Sequence, residues 1–529
     1  MTSIATNVPS ALDLSHHINT RSRSRHPSPL KDILQFMAYE GMISLSGGLL
    51  SPFGNGTSML NVEGLPHPSL FPIRQLSFTA LNSSGKSGEL IEIELSDKKE
   101  DQDPLAKFLQ YGNCKGNDTL RNWCLDFTAN ILRPAYNDFE VLLHPGNTNA
   151  WSKVVALLCE EGEHILCEAV TYPSAQALWI PEGYFAAPVA MDGQGIRDDA
   201  LEDVLSTWEE THPGKRRPHV LYLVSVGSNP SGVTMGAERR KKIYDLASDF
   251  IIVEDDPYFF IQFPDYEINA KTAAAMVSNE EFVTSLAPSF LHFDFQGRVI
   301  RLDSFSKTLA PGMRLGYFVA NPIFIERLLR ATEVETQDPS GPSQAIVLSL
   351  LEKWTMGGYL EWLQNLRLQY MRRRDCMIDA FSQHFQLVPA AKSGIPDAFG
   401  IVAFLLHSDG QGTTPIFSFV PPSGGMFIWV NFYLSKNPRF KQLQADSSIA
   451  DPEDKFSGEL WRQWIDAKVL LVPGWYYHPW QGEDKKSTKA RAAAPETSNF
   501  RFSYSMPSEE EIQQGVKRFA SVVRHSWEL

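Results

Sequence analysis

The chain is poor in cysteine. Five thiols occur in 529 residues (Cys114, Cys124, Cys159, Cys167 and Cys376), and no two stand in C-x-x-C spacing. Zinc ribbons and dithiol redox centres use that spacing, so no metal centre or disulfide framework is expected; reduced thiols of a cytosolic protein are. The sequence also lacks any run of about 18 apolar residues, the length a helix needs to span a bilayer. Positive charge is in deficit: 48 Lys and Arg face 62 Asp and Glu, for a formal net charge of −14. Nucleic acid and anionic membrane are therefore not expected as principal partners. The first 30 residues carry "RSRSRHPSP" but no apolar stretch of the kind that marks a secretory signal. Asp13 and the His16-His17 pair dilute the Arg/Ser bias of a mitochondrial leader, so a flexible arm on a cytoplasmic protein is the expectation.

What is present is ordinary for a globular chain: 43% hydrophobic and 21% charged residues. The length exceeds what one compact core supports, so two domains are expected. Between about 141 and 320, short apolar runs alternate with helix-like stretches: "VLLHPG", "HILCE", "HVLYLVSV", "IIVEDD" and "VIRLDS". Runs of continuous rather than alternating hydrophobicity are the mark of parallel strands covered on both faces by helices. Each run ends in polar or turn residues, and ligands of such sheets gather at the carboxyl ends of strands. Beyond about 325 a long helical tract runs through 358–385 and precedes a smaller α/β region containing "GGMFIWVNF" and "FRFSYS". Residues 50–64 and 391–416 interrupt otherwise patterned segments. Residues 483–498, "EDKKSTKARAAAPETS", are charged and low in apolar content, which predicts a mobile loop.

The chemistry concentrates in "DSFSKTLAPGMRLGY", 303–317, a polar loop between two apolar, β-prone runs. A solvated Ser-Lys pair with an arginine nearby is common on surfaces. Held between buried strands, however, Lys307 beside another cation loses proton affinity and becomes a better amine nucleophile. Ser304, Ser306 and Arg314 suit a phosphate dianion. The combination points to an aldehyde cofactor with a phosphate tail, bound to Lys307 as an imine.

Other strand ends fit that reading. Asp255 in "VEDDPYFF" can keep a pyridine nitrogen protonated, and Tyr258 can reach the ring's phenolic oxygen. Asn229 in the turn "SNPSG" can donate to the same oxygen. "HPGNTNAW" runs from strand to helix, placing Asn147 and Thr148 where unsatisfied N–H groups and the helix dipole favour an anion. Tyr172 can lay its ring on a cofactor face. Arg501, between Phe500 and Phe502, reads as a partly buried guanidinium that demands an anion, met by a substrate carboxylate.

These motifs, with "SPLK", "MISLSGG", "LPHPSLFP", "LQYGNCKGNDTLRNW", "PSGGMFIWV" and "VPGWYY" in the same order, resemble the class I/II pyridoxal-phosphate aminotransferases of fold type I. The likeness covers roughly residues 28 to 525 and is nearest the fungal aromatic/2-aminoadipate group. It implies an α/β fold: a large domain with a mostly parallel mixed sheet between helices, plus a smaller α/β domain. The corresponding boundaries are an arm over 1–30, an entrance segment over 31–110, a pyridoxal-phosphate domain over 111–340 and a small domain over 341–529. It further implies that Lys307, Asp255 and Tyr172 are catalytic. Asn147, Thr148, Ser304, Ser306 and Arg314 would hold the phosphate, Asn229 and Tyr258 the phenolic oxygen. Tyr111 would come from the neighbouring subunit of a homodimer, and Arg501, Asn229 and Gly48 would meet the substrate.

The implied reaction is ping-pong transfer of an amino group from an aromatic or similarly large L-amino acid to an oxo acid such as 2-oxoglutarate. Alternatives on the same fold are a 2-aminoadipate/kynurenine-type or secondary-metabolism aminotransferase, or a lyase. A regulator with an aminotransferase-like sensor is disfavoured, since only about 30 residues precede "SPLK" and the charge is acidic. Two departures stand out: Ser228 replaces the usual Gln, and Val170 replaces the proline of E-x-P-T-Y. The family pattern is also split by 50–64, which begins and ends on similar residues, as a retained unspliced segment would. Phe53, Phe71, Trp475 and Tyr476 are candidate entrance aromatics.

Overall fold

The structure is a computed structural model that describes residues 8–26, 71, 73–85, 89–96, 103–246, 249–268, 275–407, 410 and 412–529. Gly48, Phe53 and the 50–64 segment lie outside the described residues. The chain forms two compact units. One comprises Met1–Glu161, Ala247–Pro257 and Val277–Asn365; the other comprises Gly162–Leu246, Tyr258–Met276 and Leu366–Leu529.

In chain order, the strands that position functional residues are β1 (Glu140–His144), β2 (His164–Glu168), β3 (Phe185–Val189), β4 (Val220–Leu223), β5 (Ile251–Asp255), β6 (Val299–Ser304) and β7 (Gly316–Ala320). The helices are α1 (Asn147–Leu158), α2 (Pro173–Trp179) and α3 (Gly341–Ser382). The first unit carries β1-β7-β6-β5 side by side. β5 and β6 run parallel, while β7 is antiparallel to both its neighbours. Every residue of β5, β6 and β7 is buried, which is why these runs read as continuous apolar blocks rather than alternating ones.

The charged residues inside β5 and β6 obey the two-residue alternation of a strand. The register pairs Arg301 with Glu254 and Leu302 with Asp255. On one face Arg301, fully buried, meets Glu254 at 2.9 Å, Asp256 at 3.7 Å and Asp303 at 2.8 Å. Ser289 Oγ donates to Glu254 as well. Burial by itself opposes the Arg301 charge, but the three carboxylates outweigh that and raise its pKa. Asp255 is left on the opposite face. The first unit also holds part of the expected flexible arm. Leu14 and Ile18 are buried, and Asn19 Nδ2 donates to the carbonyls of Ala156 and Cys159 at the end of α1. The arm docks because it satisfies helix-end carbonyls that would otherwise be orphaned.

In the second unit, β4-β2-β3 are all parallel. A six-stranded antiparallel sheet follows the order Gln386–Pro389, Ile401–Leu406, Thr413–Phe419, Phe427–Tyr433, Thr497–Ser503, Val472–Pro473. Its core is phenylalanine-rich: the rings of Phe381, Phe417, Phe432, Phe502 and Phe519 lie with centroids 5.0–6.1 Å apart where they touch. Two sequence expectations change here. Residues 391–416 are not an interruption: they supply Ile401–Leu406 and the start of Thr413–Phe419, paired antiparallel. Residues 483–498, expected as a mobile loop, are tied down: Asp451 accepts from both the N–H and the hydroxyl of Thr488, and Arg491 donates to His478. Polar anchors replace the missing apolar ones, which composition cannot show. The helical tract expected beyond about 325 is α3, broken at Thr355 (φ 61°).

Arg301→Met leaves two strands of buried carboxylates without their cation. It is expected to destabilise the first unit by about 3–5 kcal/mol, measured as a lowered denaturant midpoint; an unchanged midpoint would show the cluster to be neutral to stability.

Candidate active site

The predicted residues fall into two sets, one in each unit. In the first unit, the turn before α1 approaches the loop after β6. Gly146 has φ +98°, and a Cβ there would lie 2.2 Å from Arg314 Nη2. Only glycine permits this approach. Arg314, itself left-handed at φ 48°, donates to the carbonyls of Pro145 (3.2 Å) and Pro311 (3.1 Å), and lies 3.4 Å from Ser306 Oγ. Ser304 Oγ donates to Ser306 Oγ at 2.9 Å and accepts from the Ser306 N–H at 3.1 Å. Guanidinium, two hydroxyls and the N-terminus of the 12-residue α1 thus form one cradle of donors, in which Thr148 is exposed and Asn147 half-buried. Such a cradle suits a phosphate-sized anion.

Asn147, expected to help hold that anion, stands at the helix start, and its side chain is engaged by other groups. Its Nδ2 donates to Asp255 Oδ1 (2.7 Å) and to the Leu302 carbonyl (2.9 Å), so only its backbone N–H faces the helix end. This contact fixes the buried Asp255 carboxylate at the carboxyl end of β5. Lys307 is half-buried on the loop after β6. Its neighbour Thr308 is pinned twice: Tyr359 Oη donates to its hydroxyl at 3.0 Å and Trp362 Nε1 to its carbonyl at 2.7 Å. Sequence reasoning missed both aromatics, which lie some 50 residues away with no local signal. It also missed His144, the strand residue before the turn. Fully buried, its Nδ1 accepts the Gly146 N–H at 3.1 Å, so the imidazole shapes the cradle from below. Tyr111 sits where the next residues, Gly112 and Gly116, donate their N–H groups to Asp338.

In the second unit, Arg501 lies on Thr497–Ser503 with its guanidinium 4.2 Å from the Phe427 ring centroid and 5.3 Å from that of Tyr477. Nη1 donates to Asn229 Oδ1 at 2.6 Å, while the buried Nε has no hydrogen-bond partner. Desolvation lowers its pKa, with the phenols of Tyr477, Tyr258 and Tyr172 the countervailing influences. A half-buried cation whose surroundings are rings and an amide is incomplete without an anion. Asn229 is 7% exposed and precedes Pro230 across a cis bond. The turn is anchored by the residue that departs from the family pattern: Ser228 Oγ donates to Glu168 Oε1 at 2.9 Å, and Glu168 also accepts from the Val224 N–H. Tyr258 packs edge-on against Phe427 (5.8 Å, 89°). Tyr172 opens α2, next to Thr171, whose N–H donates to the Tyr477 carbonyl. Of the expected entrance aromatics, Phe71 is buried and Tyr476 is exposed. The ring over Arg501 belongs to the next residue, Tyr477, 2% exposed, a one-residue difference that no periodicity in "VPGWYY" reveals.

The sequence pattern of the family described as aminotransferase class I and II matches residues 94–519. The chain belongs to the class I and II aminotransferases. It is 34% identical to an aromatic amino acid aminotransferase of Schizosaccharomyces pombe, over 97% of this chain and 98% of that one. It is 32% identical to the L-tyrosine:2-oxoglutarate aminotransferase of Tapinella panuoides, over 84% of this chain and 79% of that one. Among solved structures, aminotransferase Aro8 from Candida albicans superposes with a TM-score of 0.82 at 32% identity, covering 98% of this chain and 100% of that one. The α/β fold of this aminotransferase is therefore that of fold type I, as the sequence motifs imply. Among the described residues, no helix is long and apolar enough to cross a membrane.

The cradle should be sensitive to acid. Burial, then the neighbouring Lys153 and Arg314 charges, lower the His144 pKa from 6.5 to about 3. The unfolded chain therefore binds a proton near pH 6.5 that the folded enzyme refuses until about pH 3. Stability from this group is intact above pH 6.5 and falls progressively from pH 6.5 towards 3. A plot of Tm against pH should be flatter over that range in His144→Gln than in the parent; parallel curves would dismiss the effect.

Proposed function

We propose that this aminotransferase uses pyridoxal 5′-phosphate to move the amino group of an aromatic L-amino acid to 2-oxoglutarate. The observation that carries the reading is Arg501: a half-buried guanidinium between Phe427 and Tyr477, with its buried Nε–H unmatched. That combination suits a carboxylate carried next to an aromatic side chain. The names of the relatives point the same way.

The residues of the first unit fit the coenzyme. The Gly146–Arg314–Ser306 cradle matches its phosphate, and Asp255, fixed by Asn147, suits the pyridine nitrogen. Lys307 is the amine that would bind its aldehyde. When bound, pyridoxal phosphate supplies an electron sink for the bond broken at substrate Cα. The chain does the rest. Lys307 Nζ would take the proton from substrate Cα and hand it on to the coenzyme's former aldehyde carbon, and the second half-reaction would run the same transfer in reverse. The Asp255 carboxylate keeps the proton on the ring nitrogen. By the family resemblance, Tyr258 would donate to the phenolic oxygen, and so would Asn229, whose Oδ1 already accepts from Arg501 and leaves Nδ2 as the donor. Tyr172 would hold the ring's face, and Arg501 would orient the substrate through its carboxylate. Thr148 and Ser304 complete the phosphate set. Tyr111 and Gly48 are assigned, from the family resemblance alone, to a homodimer with shared active sites and to the substrate side.

Lys307→Ala should lose at least about a thousandfold in kcat and show no borohydride-fixed coenzyme at that position. Turnover near the parental rate would refute the assignment. Arg501→Leu should lower kcat/KM for phenylalanine and tyrosine roughly a hundredfold, the ~3 kcal/mol of a charged hydrogen-bonded pair, while leaving coenzyme absorbance in place. Assayed with 2-oxoglutarate, the enzyme should favour Phe, Tyr and Trp over 2-aminoadipate; the reverse order would move it to the aminoadipate group.

A further inference from the structure

The tied-down loop after Trp480 builds a feature of the second unit that transamination does not use. With α2 and the segment after Trp475 it borders a groove of ≈ 500 Å³, within the range of small-molecule sites. Ile180, Trp475, Tyr476 and Trp480 give the groove its apolar surface, and Ile180 and Tyr476 are among the chain's exposed large apolar residues. Lys485, Lys486 and Arg491 contribute three cations, and among the described residues no Asp or Glu lines the groove. In a chain of net charge −14 this is a local reversal of sign, and such concavities concentrate anions. Lys486 also pairs with Glu483, but both side chains are more than half exposed, and a pair in water holds its lysine only weakly.

The polar edge is organised. Arg491 donates through Nε to the Lys485 carbonyl (2.8 Å) and through Nη1 to His478 Nδ1 (2.7 Å). With Nδ1 accepting, the neutral His478 ring carries its proton on Nε2, a further donor on a lining residue. The wall is stiff: Gln176 of α2 donates to the Tyr476 carbonyl and accepts from the Trp480 N–H, while the Trp480 carbonyl accepts from Ala186. Arg491 also lies near the carboxylates of Asp451 and Asp454, so the cationic edge rests chiefly on Lys485 and Lys486; flat rings, fixed donors and that edge select a ligand with a planar face and a negative group.

We infer that this groove is a second binding site, for a planar aromatic anion. Its ring lies against Trp475, Tyr476 and Trp480, and its acidic group meets Lys485, Lys486 and Arg491. An aromatic amino acid fits poorly, because its ammonium would face three cations. Two sources share the required chemistry: an aromatic 2-oxo acid and a pyridoxine-type phosphate. The site involves neither Lys307 nor Arg501, so it stands whether or not the transamination reading does.

Equilibrium dialysis of the coenzyme-saturated enzyme tests it, with phenylpyruvate in one arm and pyridoxine 5′-phosphate, which lacks a lysine-reactive aldehyde, in the other. In Arg501→Leu, one equivalent per chain should still bind in the arm that supplies the true ligand. In Lys485→Glu/Lys486→Glu, that equivalent should weaken at least about tenfold, with kcat at low substrate unchanged. Whichever arm shows this pair of results identifies the source. If neither ligand gives an equivalent that survives Arg501→Leu and depends on the two lysines, the inference is overturned.

Discussion

The first unit is organised by one buried cation. Arg301 draws Glu254, Asp256 and Asp303 onto a single face of β5 and β6, and strand alternation then commits Asp255 to the other face. A slip of one residue would exchange Asp255 for two carboxylates that have a different task. An ion cluster of this kind adds little net stability compared with an apolar core of equal volume. What it contributes is register. The same register sets Leu302 opposite Asp255, and Asn147 bridges the two with one amide.

The cradle in that unit depends on close approach rather than on many contacts. Gly146 admits Arg314 because it has no side chain, and Arg314 reaches it because the loop after β6 turns through a left-handed residue. His144 below and the pinned Thr308 beside Lys307 make the loop rigid. Preorganisation matters here, because donors already aimed at a dianion need no rearrangement when it arrives. In the second unit the logic is opposite. Arg501 is short of partners, between rings that attract it without neutralising it, an arrangement that suits the carboxylate proposed for it.

Much of this was legible in order and residue type. The β5 and β6 runs, the loop with Lys307, the Gly146–Asn147–Thr148 turn and the isolated Arg501 each announce themselves locally, through continuous hydrophobicity, turn residues or an arginine amid phenylalanines. Partners distant in sequence were not legible. Tyr359 and Trp362 act on the Lys307 loop from inside a long helix, Tyr477 rather than Tyr476 faces Arg501, and the loop over 483–498 is held by Asp451 and His478. Asn147 belongs to the expected anion site through the helix start; that its amide also holds a carboxylate on a neighbouring strand has no local signal.

The sequence by itself determined the family, the α/β class and the set of chemical groups available, because those depend on residue identity and on periodicities of two and 3.6 residues. Tertiary structure alone decided which donor meets which acceptor, which aromatic lies over Arg501, and that charged loop residues border an aromatic groove. Those outcomes depend on distances between segments far apart along the chain. Local propensity carries no information about them, since they are fixed only when burial forces each polar group to find its partner.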